Sequence, residues 1–252
     1  MIRAAHFSFG LALAVALAGG ATRAEEQAAG PRCALPAEII AGDGSKLTLT
    51  GQRLKAKAPL TIVAIGGAST AGTAAGDGNE FGYPHELELA LGRRHPGVAI
   101  HVVNMGVPRQ TTEDMIARFD KDVVPANPTL VIWETGTVDA VRETDVDAFA
   151  AAVQDGIAAL RQHNYDIMLV DMQYNPSTGS VIDFGPYLEA LQHSADLADV
   201  SLFRRYEAMR YWSENGVFNF VDVPKDARVA LARDVYRCLG ETMAEAIDDA
   251  AE

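Results

Sequence analysis

LTIVAIGGASTAG, residues 60–72, joins a continuous apolar run to a turn of small residues. The apolar half, Leu60–Ile65, predicts a strand covered on both faces, because such runs bounded by glycine are typical of buried parallel strands. The second half predicts a tight turn that lifts Ser69 to the carboxyl end of this strand, where open α/β sheets bind ligands. Ser69 is therefore a candidate nucleophile and Gly67 a candidate ligand contact. The plainer alternative is a turn in which Ser69 and Thr70 only cap the next helix.

Outward from this stretch, short apolar runs alternate with segments of helical spacing. Further strands are predicted at 98–103, 129–133, 167–171 and 200–203. Helices are predicted at 83–95, 112–124, 146–163 and 184–197, with a last helix that is capped within 222–226 and ends near 247. This alternation predicts an α/β fold: a three-layer α/β/α sandwich around a five-stranded parallel sheet.

The N-terminus has the pattern of a secretory signal peptide. A basic start precedes the apolar run Phe7–Gly20, and small residues follow up to Ala24. We therefore expect a signal peptide at 1–24, an N-terminal extension at 25–59 and one domain at 60–252. The expected location is outside the cytoplasm, in a bacterial periplasm or beyond, without stable membrane insertion, because no later run is long enough to span a bilayer.

The sequence has two cysteines, Cys33 and Cys238. In an oxidising compartment such an isolated pair predicts one disulfide between the N-terminal extension and the last helix. Two buried free thiols are the alternative.

The charge balance excludes some classes of partner. The formal net charge is −13, and removal of Arg3 and Arg23 with the signal peptide would leave about −15. Such an acidic chain is not expected to bind nucleic acid or anionic membrane surfaces. No spacing of histidine, aspartate and glutamate suggests a metal site, and no cofactor is predicted.

Polar loops follow the predicted strands at one edge of the sheet, so they predict a cleft. In the loop after the fourth strand, Gln173 and Tyr174 are candidate ligand contacts, although such residues often only satisfy loop backbone. Glu134 is expected to brace these loops with Arg109. Residues 203–212 form an aromatic and basic strip, which predicts a half-buried helix face with arginines reaching into solvent; a protein-partner patch is the other interpretation.

The loops IGGASTAG (65–72), NMGVPRQT (104–111) and GTVD (136–139) resemble, in order and spacing, the conserved blocks of the SGNH (GDSL-like) hydrolases, a family of esterases and acylhydrolases. The resemblance implies a flavodoxin-like α/β/α fold with Ser69 as nucleophile. It implies that the Gly106 N–H helps to form the oxyanion hole, and it matches Asp139 to the aspartate of the third block. The implied ligand is a small-molecule or glycan ester.

Two departures from the family pattern weaken the implied chemistry. Val138 stands where the family has an asparagine that donates to the oxyanion, and loss of one such donor typically costs roughly 10²–10³ in rate. The family's Asp-x-x-His block is also absent, and gapless alignment puts Ala227 and Ala230 at its two positions.

Two residues are candidate substitutes for the missing base. Lys225 would need to be desolvated enough to be neutral, and an exposed lysine at a helix start is the plainer interpretation. His85 begins the helix after the serine loop and would have to lean toward the cleft, although a surface or packing histidine is the more common case there.

Two functions are compatible with these residues. The first is a secreted serine ester hydrolase scaffold whose activity is weak or lost. The second is a non-catalytic protein that binds an acylated or sugar-like ligand, or a protein partner. The retained Ser69 and Gly106 favour the first, and Val138 together with the missing base favours the second.

Overall fold

One parallel sheet organises the computed structural model, which describes Met1 and residues 33–40 and 46–252. The predicted signal peptide lies outside the described residues, Met1 excepted. The strands are β1 Leu60–Gly66, β2 Ile100–Gly106, β3 Leu130–Glu134, β4 Asp166–Val170 and β5 Ser201–Phe203. Their order across the sheet is β2-β1-β3-β4-β5, and every neighbouring pair is parallel. The predicted five-stranded parallel α/β fold is therefore confirmed.

Helices connect and cover the strands. Before β2 they are α1 Ala37–Ile40, α2 Thr48–Lys55, α3 Gly78–Phe81 and α4 Tyr83–Arg94. Between β2 and β4 they are α5 Thr112–Ile116, α6 Phe119–Asp122, α7 Thr137–Val141 and α8 Val146–Arg161. After β4 they are α9 Pro176–Gly179, α10 Gly185–Ala198, α11 Arg205–Glu214 and α12 Arg228–Ala250. Two 3-10 turns lie at Thr73–Ala75 and Val124–Ala126.

The strand β1 is covered on both faces, as its unbroken apolar run predicts. Ile62 and Ala64 face one hydrophobic cluster, which also holds Trp212. Val63 and Ile65 face the opposite cluster, which also holds Trp133. Because side chains alternate along a strand, the two clusters lie on opposite faces of the sheet and form the two interlayer cores.

The helix predicted at 112–124 is broken into α5 and α6. Arg118 lies at the break, where its φ and ψ of −116° and 8° leave the helical region. Its guanidinium instead donates to the Met105 carbonyl at 2.8 Å and to the Gly66 carbonyl at 3.4 Å. At this break one half-buried arginine donates to two carbonyls at the carboxyl ends of β1 and β2.

The last helix begins later than predicted. Asp222, within the predicted cap, has a left-handed backbone with φ of +53°. This conformation cannot continue into a right-handed helix. Residues 222–227 therefore form a loop and turns, and α12 starts at Arg228.

The extension is tied to the domain at two places. Cys33 and Cys238 form a disulfide with a Cα–Cα distance of 5.1 Å, as predicted. Leu47 is buried, and its N–H donates to the Ala250 carbonyl at 2.8 Å. In residues 33–40 and 46–252 we find no helix long and apolar enough to cross a membrane and no cluster of side chains able to hold a metal ion.

Candidate functional site

Ser69 lies in a tight turn directly after β1. Backbone hydrogen bonds close this turn, from Ala71 N to the Gly67 carbonyl at 3.0 Å and from Gly72 N to the Ser69 carbonyl at 3.0 Å. A Cβ on Gly66 would lie 2.2 Å from Thr70 Oγ1, so only glycine lets the turn fold back onto the strand end. Ser69 is thereby fixed at the sheet edge with 7% of its surface exposed.

The partner of Ser69 is an arginine. Arg205 is the first residue of α11, just after β5, and its Nη1 donates to Ser69 Oγ at 2.7 Å. Its Nη2 donates to Glu134 Oε1 at 3.3 Å, and the two side chains are only 1% and 5% exposed. The site therefore contains a buried ion pair in direct contact with the serine hydroxyl.

The second oxygen of Glu134 holds the serine turn. Glu134 Oε2 accepts from the Thr70 N–H at 2.9 Å and from the Thr70 hydroxyl. Thr70 Oγ1 also lies 2.9 Å from the hydroxyl of Tyr83. Burial, reinforced by the charge of Glu134, raises the pKa of Tyr83 well above its usual range, so this phenol is neutral. Both oxygens of Glu134 are thus occupied by donors.

A second tyrosine reaches the serine from the last helix. Tyr236 on α12 is buried, and burial raises the pKa of its hydroxyl. The charge of Glu134 raises this pKa further, whereas Arg205 and the Ser69 side chain lower it. Its phenol is therefore neutral, and the effect of the Ser69 side chain on its pKa indicates that the phenol lies near the serine.

Asp171 fixes the start of α11. It follows β4, is buried, and accepts a hydrogen bond from the Tyr206 N–H at 2.8 Å. Burial raises the pKa of this carboxyl to about 7, although the hydrogen bond and the charge of Arg205 oppose the shift. Because Tyr206 is next to Arg205 in the chain, this contact helps to place Arg205 against Ser69.

One cavity opens at the serine, and a larger cavity shares Gln173 with it. The smaller one, of about 80 Å³, is lined by Ser69, Gly67, Thr137 and Val138 among others, and the Thr137 hydroxyl is buried there without a partner. The larger one, of about 570 Å³, lies between the loop after β4 and the start of α12 and includes Tyr236 in its wall.

Several predicted residues meet at these cavities. Gly67 and Val138 line the smaller cavity, Gln173 lines both, and Tyr174 lines the larger one. Because valine has no hydrogen-bond donor, the wall at Val138 is apolar where an asparagine would donate.

Two other predicted site residues, Gly106 and Asp139, form hydrogen bonds that fix the loops around them. The N–H of Gly106, expected in the oxyanion hole, donates instead to Asn104 Oδ1 at 2.9 Å. Asp139 is buried and accepts from the Thr112 N–H at 3.1 Å and the Thr112 hydroxyl at 3.0 Å. Burial raises the pKa of Asp139 despite these bonds. Asp139 thus ties the loop after β3 to the start of α5.

The candidate substitute bases make no contact with the serine. In the described part of the chain, neither Lys225 nor His85 makes a hydrogen bond to Ser69, and neither lines the two cavities. Lys225 is exposed in the loop before α12, and His85 is half-buried in the first turn of α4.

Arg205 was not predicted as a site residue, and Glu134 pairs with a different arginine from the one predicted. Arg205 was expected to reach into solvent and Glu134 to pair with Arg109, but the two pair with each other in the interior. The position of Arg205 in the sequence could have indicated its role, because Arg204 and Arg205 directly follow a predicted strand at the ligand-binding edge.

The hydrogen bond at Ser69 runs in the opposite direction from that in a serine hydrolase, because the neighbouring side chain donates to the serine oxygen. An activated serine donates its proton to a neighbouring base, which must have a free lone pair. A guanidinium carries only donors and does not accept a proton. Arg205 therefore engages a lone pair of Ser69 Oγ and leaves the serine proton free to be donated elsewhere.

Comparison with known proteins identifies the family of this chain. The sequence model described as the Non-GDSL lipase-like family matches residues 32–252. No curated protein matches the chain.

Solved structures share the fold at low identity. An acetyl xylan esterase has 20% identity and a TM-score of 0.59, over 75% of this chain and 100% of that chain. An acetylxylan esterase from Geobacillus stearothermophilus has 17% identity and a TM-score of 0.60, over 75% of this chain and 94% of that chain. A two-domain esterase active on acetylated mannans, crystallised with mannopentaose, has 15% identity and a TM-score of 0.64, over 83% of this chain and 56% of that chain.

Proposed function

Because the chain belongs to the Non-GDSL lipase-like family, we propose that it is a serine ester hydrolase scaffold that binds a small-molecule or glycan ester at Ser69 and hydrolyses it weakly or not at all. The proposal combines the retained serine turn with the absence of the groups that would activate it. The family and fold support an ester ligand, and the local contacts of Ser69 argue against efficient turnover.

The observation that carries the proposal is the 2.7 Å hydrogen bond from Arg205 Nη1 to Ser69 Oγ. A positioned general base typically contributes 10²–10⁴-fold to such a reaction. Here the group in contact with the serine is a donor, and both oxygens of the nearest carboxylate, Glu134, are already taken. The Ser69 hydroxyl therefore serves as a hydrogen-bond donor to a ligand carbonyl.

The oxyanion hole is reduced as well. The Gly106 N–H donates to Asn104, and Val138 offers no side-chain donor. The Ser69 N–H makes no hydrogen bond within residues 46–252, so it is available as a backbone donor in the turn. One donor in place of three lowers the stabilisation of a tetrahedral intermediate, although the separate losses are not additive.

The second candidate is a purely non-catalytic binding protein. The observation that favours it is the 570 Å³ cavity next to the blocked serine, which is within the size range of small-molecule sites. The disulfide between Cys33 and Cys238 supports a location outside the cytoplasm for either candidate.

The test is the reaction of the disulfide-bonded protein with a fluorophosphonate probe, with Ser69→Ala as the control. We expect labelling at least about a hundredfold slower than that of an active serine hydrolase under the same conditions, because the base is missing. Rapid labelling that disappears in Ser69→Ala would overturn the proposal. Hydrolysis of 4-nitrophenyl acetate by the same two proteins gives an independent measure of turnover.

A further inference from the structure

The cavity of about 570 Å³ next to Ser69 has half-buried aromatic rings in its wall. The ring of Tyr174 packs edge-on against Tyr206, with centroids 5.3 Å apart. The ring of Phe220 is tilted against the buried Phe218 at 6.2 Å. Because each ring is held by a neighbour, both rings are ordered before any ligand binds, which lowers the entropy cost of binding.

The polar groups of this cavity are mostly uncharged. Gln173, Asn175, Ser177 and Thr178 line it from the loop after β4, and they provide amide and hydroxyl groups. Such groups both donate and accept hydrogen bonds, which is what a ligand covered with hydroxyl groups requires.

The two charged residues in the wall have opposite signs. Asp222 and Arg228 both line the cavity, so its formal charge is zero. Arg228 Nε donates to the Val223 carbonyl at 3.1 Å, which ties the loop that carries Asp222 and Phe220 to the start of α12. In a protein with a net charge of −13, a neutral cavity offers no attraction to an anionic ligand.

The cavity is joined to the serine site by two residues. Gln173 lines both the larger cavity and the 80 Å³ cavity at Ser69. Tyr236 lines the larger cavity, and its hydroxyl lies beside the Ser69 side chain. A ligand in the larger cavity can therefore extend a small substituent toward Ser69.

We infer that the larger cavity is a binding site for an uncharged sugar ring, with Tyr174 and Phe220 against the ring and the amide and hydroxyl side chains at its edge. The apolar C–H face of a sugar suits the negative face of an aromatic ring. The inference deepens the proposed function and rests on it in one respect only, namely that the ester substituent of the sugar points to Ser69. The cavity at Ser69, of about 80 Å³, is the smaller of the two and suits a small ester substituent.

The test is a calorimetric titration with uncharged trisaccharides (xylotriose, mannotriose and cellotriose) and with anionic trigalacturonate. We expect saturable binding of at least one uncharged sugar and binding of trigalacturonate at least about tenfold weaker, because the anion meets no net positive charge. Tyr174→Ala and Phe220→Ala should each weaken binding roughly 3- to 10-fold. Tyr174→Phe, which keeps the ring, should retain it.

Tyr211→Ala is the matched control, because Tyr211 is an aromatic residue that lines neither cavity. The unsubstituted sugars carry no ester group, so their binding is measured independently of whether Ser69 reacts with a fluorophosphonate. The inference is overturned if none of the three uncharged sugars binds below about 10 mM, if trigalacturonate binds better than all of them, or if folded Tyr174→Ala and Tyr211→Ala bind equally well.

Discussion

Arg205 donates a hydrogen bond of 2.7 Å to the Oγ of Ser69 from the interior of the protein, where only 1% of its side chain is exposed. The same guanidinium forms the ion pair with Glu134, so one residue restrains the candidate nucleophile and neutralises the buried carboxylate behind it. Arg205 therefore links the buried ion pair of the interior to the side chain of Ser69.

Removal of either partner of this pair is expected to be costly. Arg205→Met or Glu134→Gln should each lower the free energy of unfolding, with Arg205→Met costing about 3–5 kcal/mol because it leaves Glu134 charged and buried. The double variant should lose clearly less than the sum of the two single losses. Urea denaturation of the four proteins measures this coupling, and additive losses would show that the two side chains do not act as a pair.

A donor can be restored at the oxyanion position without restoring the base. Val138 lines the cavity at Ser69, so Val138→Asn places an amide near the position where an oxyanion would develop. We expect hydrolysis of 4-nitrophenyl acetate to stay within about threefold of the native rate, because the donor assists an intermediate that forms efficiently only when a base accepts the Ser69 proton, and the group in contact with Ser69 is the donor Arg205. A gain of a hundredfold or more would reveal an active base, and Val138→Ala is the control for the added space.

Asp171 should make stability depend on pH. Its folded-state pKa of about 7 lies above the ordinary value for an aspartate, so the folded protein binds the proton more tightly than the unfolded chain. The associated stabilisation is complete below about pH 4 and is lost as the pH rises through 7.

Asp171→Asn removes this titration and keeps an acceptor for the Tyr206 N–H. Between pH 4 and 7 the native protein should therefore lose stability relative to the variant, by up to about 1.4 kcal/mol per pH unit. Urea unfolding at four pH values measures the two slopes. Parallel curves for the two proteins would contradict the prediction.

Gly106 is expected to be required for packing. A Cβ there would lie 2.1 Å from Ala71 N and 2.5 Å from the Thr70 carbonyl carbon, both backbone atoms of the serine turn. Gly106→Ala should therefore displace the turn and cost about 1–3 kcal/mol of stability. Thermal unfolding checks this, with Gly92→Ala as the control, since a Cβ at Gly92 meets no atom within 4 Å.

Most of the fold could be predicted from the sequence, because each strand is an apolar run with a helical segment after it. The five observed strands begin within two residues of their predicted starts. The strand β2 ends at Gly106, three residues later than predicted. The broken helix was missed because the cause is not local. Arg118 leaves the helix in order to reach carbonyls of Met105 and Gly66, which are distant in sequence.

The candidate site was predicted only in part. Ser69 could be placed, because the glycine-rich turn and the strand before it are adjacent in the sequence. Arg205 could not, because arginines are rarely buried and a local pattern favours an exposed one. Its burial depends on Glu134, which lies at the end of β3, and on Asp171, which fixes the start of α11.

The disulfide joins two residues that are 205 positions apart, and the interval between them contains all five strands, Ser69 and Arg205. The sheet edge that carries Ser69 is thus enclosed in a covalent ring. A protease that cuts the chain once inside this interval opens the ring but releases no fragment from it, so the two pieces separate on a gel only after reduction. A single cleavage near Ser69 would therefore not be detected on a non-reducing gel.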